Sequence, residues 1–310
     1  MVLEKFIGID VSKKSLDVAI RPGKKVKQYL NTPEGVKELI QTLKKESSTL
    51  IVMEATGSYH LLCLTELVED QLPVVVLNPR QVRDFAKATG QLAKTDKIDA
   101  RVLAHFAEAI RPEVRSVFNQ ESLQLVELLR RRTQVVQMLT SEKNRFQGSH
   151  SKKMKEGIEK HIQFLKSEQS DIEMELDKLI DGNSNLKNKE NILKSVPGVG
   201  NIVAQTLIAE LPELGQISSR QISTLVGVAP LNRDSGSMKK RRMICGGRAR
   251  VRQMLYMACI SAIRWNPILS SFAERLKQSG KPFKVIITAV MHKLLIILNA
   301  MIRENTLWKY

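Results

Sequence analysis

Followed as alternating apolar and polar positions, the first third of the chain breaks into strand-length runs separated by turn residues. Lys5-Phe6-Ile7-Gly8-Ile9-Asp10-Val11-Ser12 and Ser15-Leu16-Asp17-Val18-Ala19-Ile20 are β-prone runs joined by a small polar turn with Lys13 and Lys14, the pattern of a hairpin. The first run is too apolar for an edge and belongs at the centre of a covered sheet. Residues 25–30 alternate as a third strand, and Asn31-Thr32-Pro33-Glu34-Gly35 turns the chain into a helix over about 34–45. Thr32 suits its N-cap and Pro33 its first position, with Val36, Leu39, Ile40 and Leu43 on one face. Leu50-Ile51-Val52-Met53-Glu54 is the next strand, Thr56-Gly57-Ser58 starts another helix, and residues 72–79 form a further strand. Residues 94–104 have helical spacing, with Asp96 and Asp99 at i and i+3 on one face.

Residues 120–180 change character to long, charged helical patterns. Leu123, Val126, Leu129, Val135, Val136, Met138 and Leu139 fill one face of the first helix, where Arg130-Arg131-Arg132 breaks the seam. A second helix over about 154–180 carries Ile158, Ile162, Leu165, Ile172, Leu176 and Leu179, with Ser149-His150-Ser151 marking the hairpin between them. The expectation is an antiparallel helical arm or a dimer coiled coil. Asp181-Gly182-Asn183-Ser184-Asn185 is the clearest linker. Pro197-Gly198-Val199-Gly200 then precedes an apolar helix over 202–211, a turn that resembles a helix-hairpin-helix element. Its glycines aim backbone N–H groups outward, which suits a DNA phosphate. Gly246-Gly247-Arg248 opens a helix, and helices near 267–278 and 283–303 complete a mainly α C-terminal region. The expected domains are 1–117, 118–187 and 188–310. In the first, the order β-β-β-α-β-α-β is that of an α/β RNase H-like fold; the second is the coiled-coil arm.

Composition narrows the classes. The chain is 43% hydrophobic, so it is globular, and no apolar run is expected to reach the roughly 18–20 residues of a membrane span. Met1-Val2-Leu3-Glu4-Lys5 lacks the layout of a secretory signal, which gives a cytoplasmic expectation. Cys63, Cys245 and Cys259 fit neither a disulfide frame nor a zinc spacing and are expected as buried thiols. The net charge of +17 is uneven: residues 238–310 hold 15 basic residues against Glu274 and Glu304. That asymmetry points to nucleic acid or an anionic membrane, and without a lipidation signal or an obvious membrane-lying helix nucleic acid is the better fit. The candidate contacts are Arg80, Arg83, Lys94, Gly198, Gly200, Arg233, Lys239, Lys240, Arg241, Arg242, Arg248, Arg250 and Arg252.

Asp10 in a central strand is unfavourable without a positive neighbour. Glu54, Asp96 and Asp99 supply further carboxylates, and four such acids suit paired Mg²⁺ ions that clamp the attacking and leaving oxygens of a phosphodiester. His60, His105 and His292 are scattered and are expected as structural or exposed residues. Ser235 lies in the polar loop Asn232-Arg233-Asp234-Ser235-Gly236-Ser237. A serine beside glycine is usually a turn residue. Here the cations around it would hold a phosphate close, which makes its hydroxyl a candidate nucleophile, with a metal or Asp234 as base.

The segments Ile7-Gly8-Ile9-Asp10-Val11-Ser12-Lys13, Glu54-Ala55-Thr56-Gly57, Asn78-Pro79-Arg80-Gln81-Val82-Arg83, Lys94-Thr95-Asp96-Lys97-Ile98-Asp99-Ala100, Pro197-Gly198-Val199-Gly200 and Ser235-Gly236 through Gly246-Gly247-Arg248 resemble, in order, the DEDD transposases of the IS-one-ten insertion-sequence family, relatives of Piv-type DNA invertases. The resemblance implies a RuvC-like domain with Asp10, Glu54, Asp96 and Asp99 as metal ligands, and a C-terminal transposase domain whose serine, matching Ser235, forms a phosphoserine link to DNA. It also implies a noncoding bridge RNA that pairs with donor and target DNA. Dimers and tetramers in which different subunits supply the two sites follow from it as well, in a prokaryotic, nucleoid-associated setting. Ser237 is a weaker rival nucleophile. Other readings stand beside it: a RuvC-like nuclease or junction resolvase using water, an actin-like kinase or ATPase, and a nonenzymatic nucleic-acid binder.

Overall fold

A computed structural model of the chain describes residues 4–23, 25–46, 48–55, 59–114, 120–231 and 242–309, without the side chains of Gln120 and Glu121. The chain divides into two units, Met1–Leu123 and Gln124–Tyr310. In the first, the run that opens the sequence becomes the middle of a five-stranded sheet. Its strands are β1 (Phe6–Val11), β2 (Ser15–Arg21), β3 (Val26–Leu30), β4 (Leu50–Glu54) and β5 (Val74–Leu77), in the order β3-β2-β1-β4-β5. β1, β2 and β3 pair antiparallel, whereas β4 and β5 join β1 in parallel.

β1 reads as an unbroken apolar run because both its faces are covered. Ile7, Ile9 and Val11 point to one side, where they pack with Val36, Leu39, Ile40 and Leu43 of α1 (Pro33–Lys45) and Cys63, Leu64 and Leu67 of α2 (Leu61–Glu69). Phe6 points to the other, with Leu50, Val52 and Leu77, against Val82 and Ala86 of α3 (Pro79–Ala88) and Val102, Leu103, Phe106 and Ala107 of α4 (Asp96–Ile110). Residues 80–92 are polar and basic in sequence, with Arg80, Arg83 and Lys87, yet α3 covers most of them. The helix there follows from Asn78, whose side chain caps the Arg80 N–H, from Pro79 at the first position, and from Val82 and Ala86 one turn apart. The expected start of a helix at Thr56-Gly57-Ser58 lies outside the described residues, and α2 is seen from Leu61.

Gly8 decides how α4 lies on the sheet. A Cβ there would sit 2.2 Å from the Ala100 carbonyl oxygen and 2.2 Å from the Ala104 nitrogen, so only glycine lets the helix backbone approach. Ala19, opposite Gly8 on β2, clusters with Ala100 and Ala104 and extends the same shallow bed. Thr95 caps α4 by accepting the Ile98 N–H at 3.3 Å, which fixes where its first turn begins.

The second unit opens with α5 (Gln120–Gly148, whose first residues belong to the first unit) and α6 (Lys152–Asp181). They form an antiparallel hairpin turning at 149–151, with Leu125, Leu129, Val135 and Leu139 buried in one seam with Ile162, Leu165, Ile172 and Leu176. The arginines expected to interrupt this seam cross it instead: Arg131 pairs with Glu168 at 2.5 Å and Arg132 with Glu173 at 2.6 Å. Such partly exposed pairs add about 0–1 kcal/mol each, so they set register while the seam supplies most of the stability. The expected linker at 181–185 shrinks to Gly182 and Asn183, because Asn183 caps the next helix, α7 (Ser184–Lys194).

α8 (Asn201–Glu210), α9 (Ser219–Val226), α10 (Ala249–Trp265), α11 (Pro267–Gln278) and α12 (Phe283–Glu304) complete this unit. The expectation that no apolar run is long enough to span a membrane is corrected by α12. Its mean hydropathy reaches 2.1 over an 18-residue window, half of which is buried inside the unit. Asn299 on that helix is fully buried; its Oδ1 accepts the Gly215 N–H at 2.7 Å and its Nδ2 donates to the Ile217 carbonyl at 2.9 Å. α12 is apolar because it is a core helix. Cys63 and Cys259 are buried as expected, whereas Cys245 is only partly covered.

Replacing Gly8 with Ala forces α4 away from β1. The expected loss is about 1–3 kcal/mol, measured as a lower urea midpoint for the first unit. An unchanged midpoint would mean that the helix does not rest on the strand at this point.

Candidate active site

The two strand-end acids and the helix acids converge on the α4 side of the sheet. Asp10 lies two residues beyond Gly8 and therefore shares its face. Glu54 shares the face of Leu50 and Val52, one step beyond the Ile9–Met53 pair that sets β4 against β1. Asp96 and Asp99 occupy the first turn of α4, Asp96 one helical turn and Asp99 one residue before Ala100, where the helix meets Gly8. The close approach at Gly8 thus brings the helix acids towards the strand ends.

A fifth carboxylate escaped the sequence reading. Asp17 stands directly opposite Asp10 in the β1–β2 register, is 1% exposed, and accepts both hydrogen bonds of Gln28 Nε2, at 3.1 and 3.3 Å. The hairpin held the signal, because pairing Val11 with Leu16 across the turn sets Asp10 against Asp17.

This grouping raises the affinity of Asp10 for a proton. Burial, then the charges of Asp99, Asp96, Glu54 and Asp17, push its pKa from 3.8 up to about 7. Glu54 is raised by burial and Asp99, against the opposing pull of Lys94. Asp99 is raised by burial and Asp96, opposed by Lys94 and Arg83. Lys94 and Arg83, both exposed, are therefore near enough to these acids to temper their repulsion. Arg80 sits 3.7 Å from Asp84 one turn along α3.

An all-oxygen donor set with an excess of negative charge suits a hard divalent cation. Asp10, Glu54, Asp96 and Asp99 would hold it, since a cation relieves the repulsion that raises Asp10. Among the described residues no group of three or more His, Cys, Asp or Glu side chains is placed to hold a metal ion. The fit is one of charge and donor chemistry alone.

The C-terminal candidates divide. Ser235, its rival Ser237, and Arg233, Lys239, Lys240 and Arg241 lie outside the described residues; Arg242, next to them, is exposed. Three arginines expected at nucleic acid have their guanidinium groups engaged within the second unit. Arg248 forks onto the buried Glu213 at 2.5 and 2.6 Å and also donates to the Glu210 carbonyl. Arg250 meets Glu210 at 3.0 Å and Thr133 Oγ1 at 3.2 Å. Arg252 donates to the carbonyls of Val226 and Gly246. A phosphate would have to displace these partners, and a run of arginines in sequence does not disclose that acids wait for them. Gly198, at φ +102°, passes so close to α10 that a Cβ would fall 2.6 Å from the Ala262 Cα, which makes its first task packing. Gly200 precedes α8 in open space. His60 is buried and His292 half-buried, where burial lowers its pKa.

Comparison with known proteins bears on both ends of the chain. A family model described as a transposase, of the DEDD IS110 type, matches residues 7–149, and one described as "Transposase IS116/IS110/IS902 family" matches residues 190–274. The chain is 28% identical over 310 residues to a pilin gene-inverting protein of Moraxella bovis, with 97% of this chain and 96% of the relative covered. The corresponding protein of Moraxella lacunata matches at the same identity and coverage.

Two outcomes follow from the charges. A raised carboxyl pKa means that the folded chain binds the Asp10 proton more tightly than the unfolded chain does. Its stabilising contribution is complete below about pH 4 and is lost as pH rises towards about 7. Asp10→Asn is expected to remove that loss and raise the melting temperature of the first unit at pH 8 by a few degrees. Mg²⁺ or Mn²⁺ is expected to raise the wild-type value but not that of the variant; equal shifts in both would disprove the site. Separately, Arg248→Gln strands the buried Glu213 and is expected to cost about 3–5 kcal/mol, measured by urea unfolding, with the salt dependence of DNA binding by the folded fraction unchanged.

Proposed function

The chain belongs to the IS110 family of insertion-sequence transposases, and from that premise we propose that it cuts and rejoins DNA strands through a covalent serine link in a divalent-metal-dependent reaction. The observation that carries the reading is the raised Asp10, a partly buried carboxyl held among acids from β2, β4 and α4 near the C-terminal end of a central strand. Strand order and the placement of these acids favour an RNase H-like, RuvC-like reading of the first unit. The residues around 188–310 form the transposase domain of this reading, and 118–187 its arm.

In this mechanism Asp10, Glu54, Asp96 and Asp99 would hold Mg²⁺ as one or two ions, and Asp17 with Gln28 backs Asp10 from β2. The metal would supply charge neutralisation for the phosphate and would lower the pKa of an attacking hydroxyl. Lys94 and Arg83, beside the acids, attract the phosphodiester backbone and hold it at the site. The Ser235 hydroxyl attacks the phosphorus, one bridging P–O bond breaks, and the freed DNA hydroxyl leaves with a proton while the phosphate stays on serine. Attack by the hydroxyl of a second strand reverses these bond changes, restores serine and joins the new partner. Arg233, Lys239, Lys240, Arg241 and Arg242 surround the serine in sequence and would stabilise the charge of the pentavalent phosphorus.

The family resemblance adds a bridge RNA as guide for donor and target DNA, and an assembly of dimers into tetramers in which one subunit's acids serve another's serine. The relatives named for pilin gene inversion support recombination within DNA as the outcome. The acids by themselves also suit a nuclease that uses water, and one experiment separates the two. The full chain is incubated with element-end DNA, the adjacent noncoding transcript and Mg²⁺, then denatured and resolved for protein-linked DNA. Ser235→Ala is expected to abolish both the linked species and joined product, and Asp99→Asn to lower both by about 10³-fold or more. Normal cutting by the serine variant would establish the nuclease instead.

A further inference from the structure

We propose that the groove between α11 and the middle of α12 is a second nucleic-acid site, which takes an unpaired base of a single strand. The proposal rests on the reading that this chain works on nucleic acid, and it locates a contact which that reading does not assign.

The groove is a cavity of about 460 Å³ lined by Pro267, Ile268, Ser271, Phe272, Arg275 and Lys293. It is largely open to solvent, so a flat group would lie against it rather than be enclosed. Its lining combines an apolar floor with two cations and no acid. The Lys293 ammonium lies 4.6 Å, and the Arg275 guanidinium 5.3 Å, from the centroid of the Phe272 ring. Immediately before Pro267, Trp265 ends α10 with 73% of its surface exposed, and Ile268 is 39% exposed. Between residues 264 and 293 there are six basic residues and one acid, Glu274, which stands 3.6 Å from Lys277.

A plain structural role accounts for part of this. Lys293 over Phe272 ties α12 to α11, as a cation–π pair does in many proteins. That role gives no reason for the exposed tryptophan or for the absence of acids around the groove. Stacking surfaces flanked by cations are what single strands need, since every base has a π face and every link carries a negative charge. A duplex buries its base faces in its own stack and offers only phosphates, so it gains little from a concave aromatic site. The two cations, already seated on the Phe272 ring, would meet the flanking phosphates, while the exposed Trp265, two residues before Pro267, offers the stacking face.

The test uses the full chain and three labelled probes: a short oligo(U) RNA, an oligo(dT) of the same length and a blunt DNA duplex. Binding is followed by fluorescence anisotropy. Trp265→Ala, an exposed change with little bearing on folding, and the double change Arg275→Gln with Lys293→Gln are each expected to weaken single-strand binding by about tenfold. Duplex binding should change by less than about twofold, the level expected where no stacking contact is lost. Tryptophan emission should be quenched by the single strands in the wild type and much less in Trp265→Ala. Whichever single strand binds more tightly identifies the source, RNA or DNA. Equal losses for duplex and single strand, or no loss at all, would overturn the proposal while leaving the serine chemistry untouched. If the variants instead change the sedimentation of the chain and not its single-strand affinity, the groove is covered by a second copy and the proposal fails. Failure to bind any of the three probes would end the underlying nucleic-acid reading as well.

Discussion

The first unit depends on one backbone-to-backbone approach, that of α4 onto β1 at Gly8. No side chain separates them there, and Ala19, Ala100 and Ala104 keep the surroundings equally shallow. A helix seated this low has its first turn beside the strand ends, and that first turn holds Asp96 and Asp99. The clustered acids are therefore placed by the smallest residues in the unit. Large apolar residues on either side, Phe6 and Phe106 on one face and Ile7 and Leu39 on the other, stabilise the sheet that makes this placement rigid.

The same approach concentrates charge. Carboxylates gathered in partly buried surroundings repel one another, and the fold relieves this only in part, with Lys94 and Arg83 near Asp99 and with Gln28 bonded to Asp17. The remaining strain shows as the reluctance of Asp10 to lose its proton near neutrality. Sites that shift carboxyl groups this far are often functional, since a fold with no use for the charges would do better without them. In the second unit the buried acids have cations at hand: Glu213 is forked by Arg248, and Glu210 lies 3.0 Å from Arg250, although burial still raises its pKa.

Much of this was readable from the chain itself. Period-two and apolar runs marked all five strands, and the i, i+3 spacing marked the acids of α4. What the sequence concealed was tertiary. Asp17 becomes notable only when the hairpin register sets it against Asp10. Arg248, Arg250 and Arg252 look like a phosphate-binding run until Glu213, Glu210 and two carbonyls from elsewhere in the unit take their donors. α3 and α7 escape the pattern because Asn78-Pro79 reads as the end of the preceding strand and Asn183 as part of a linker, whereas each asparagine caps a helix. α12 deceived in a different way. Its hydropathy is that of a lipid-facing helix, and only the buried Asn299 and its two backbone partners reveal a protein-facing one.

The α5–α6 hairpin turns back on itself within three residues, and its seam is already filled by its own two helices. Another chain can reach that seam only by exchanging arms, which would break the Arg131–Glu168 and Arg132–Glu173 pairs before remaking them between copies. An association that keeps both pairs has to use the outer surface, where Met138, Met154, Phe164 and Met174 are exposed. A partner that left both pairs intact would therefore meet the hairpin on that outer surface and not in its seam.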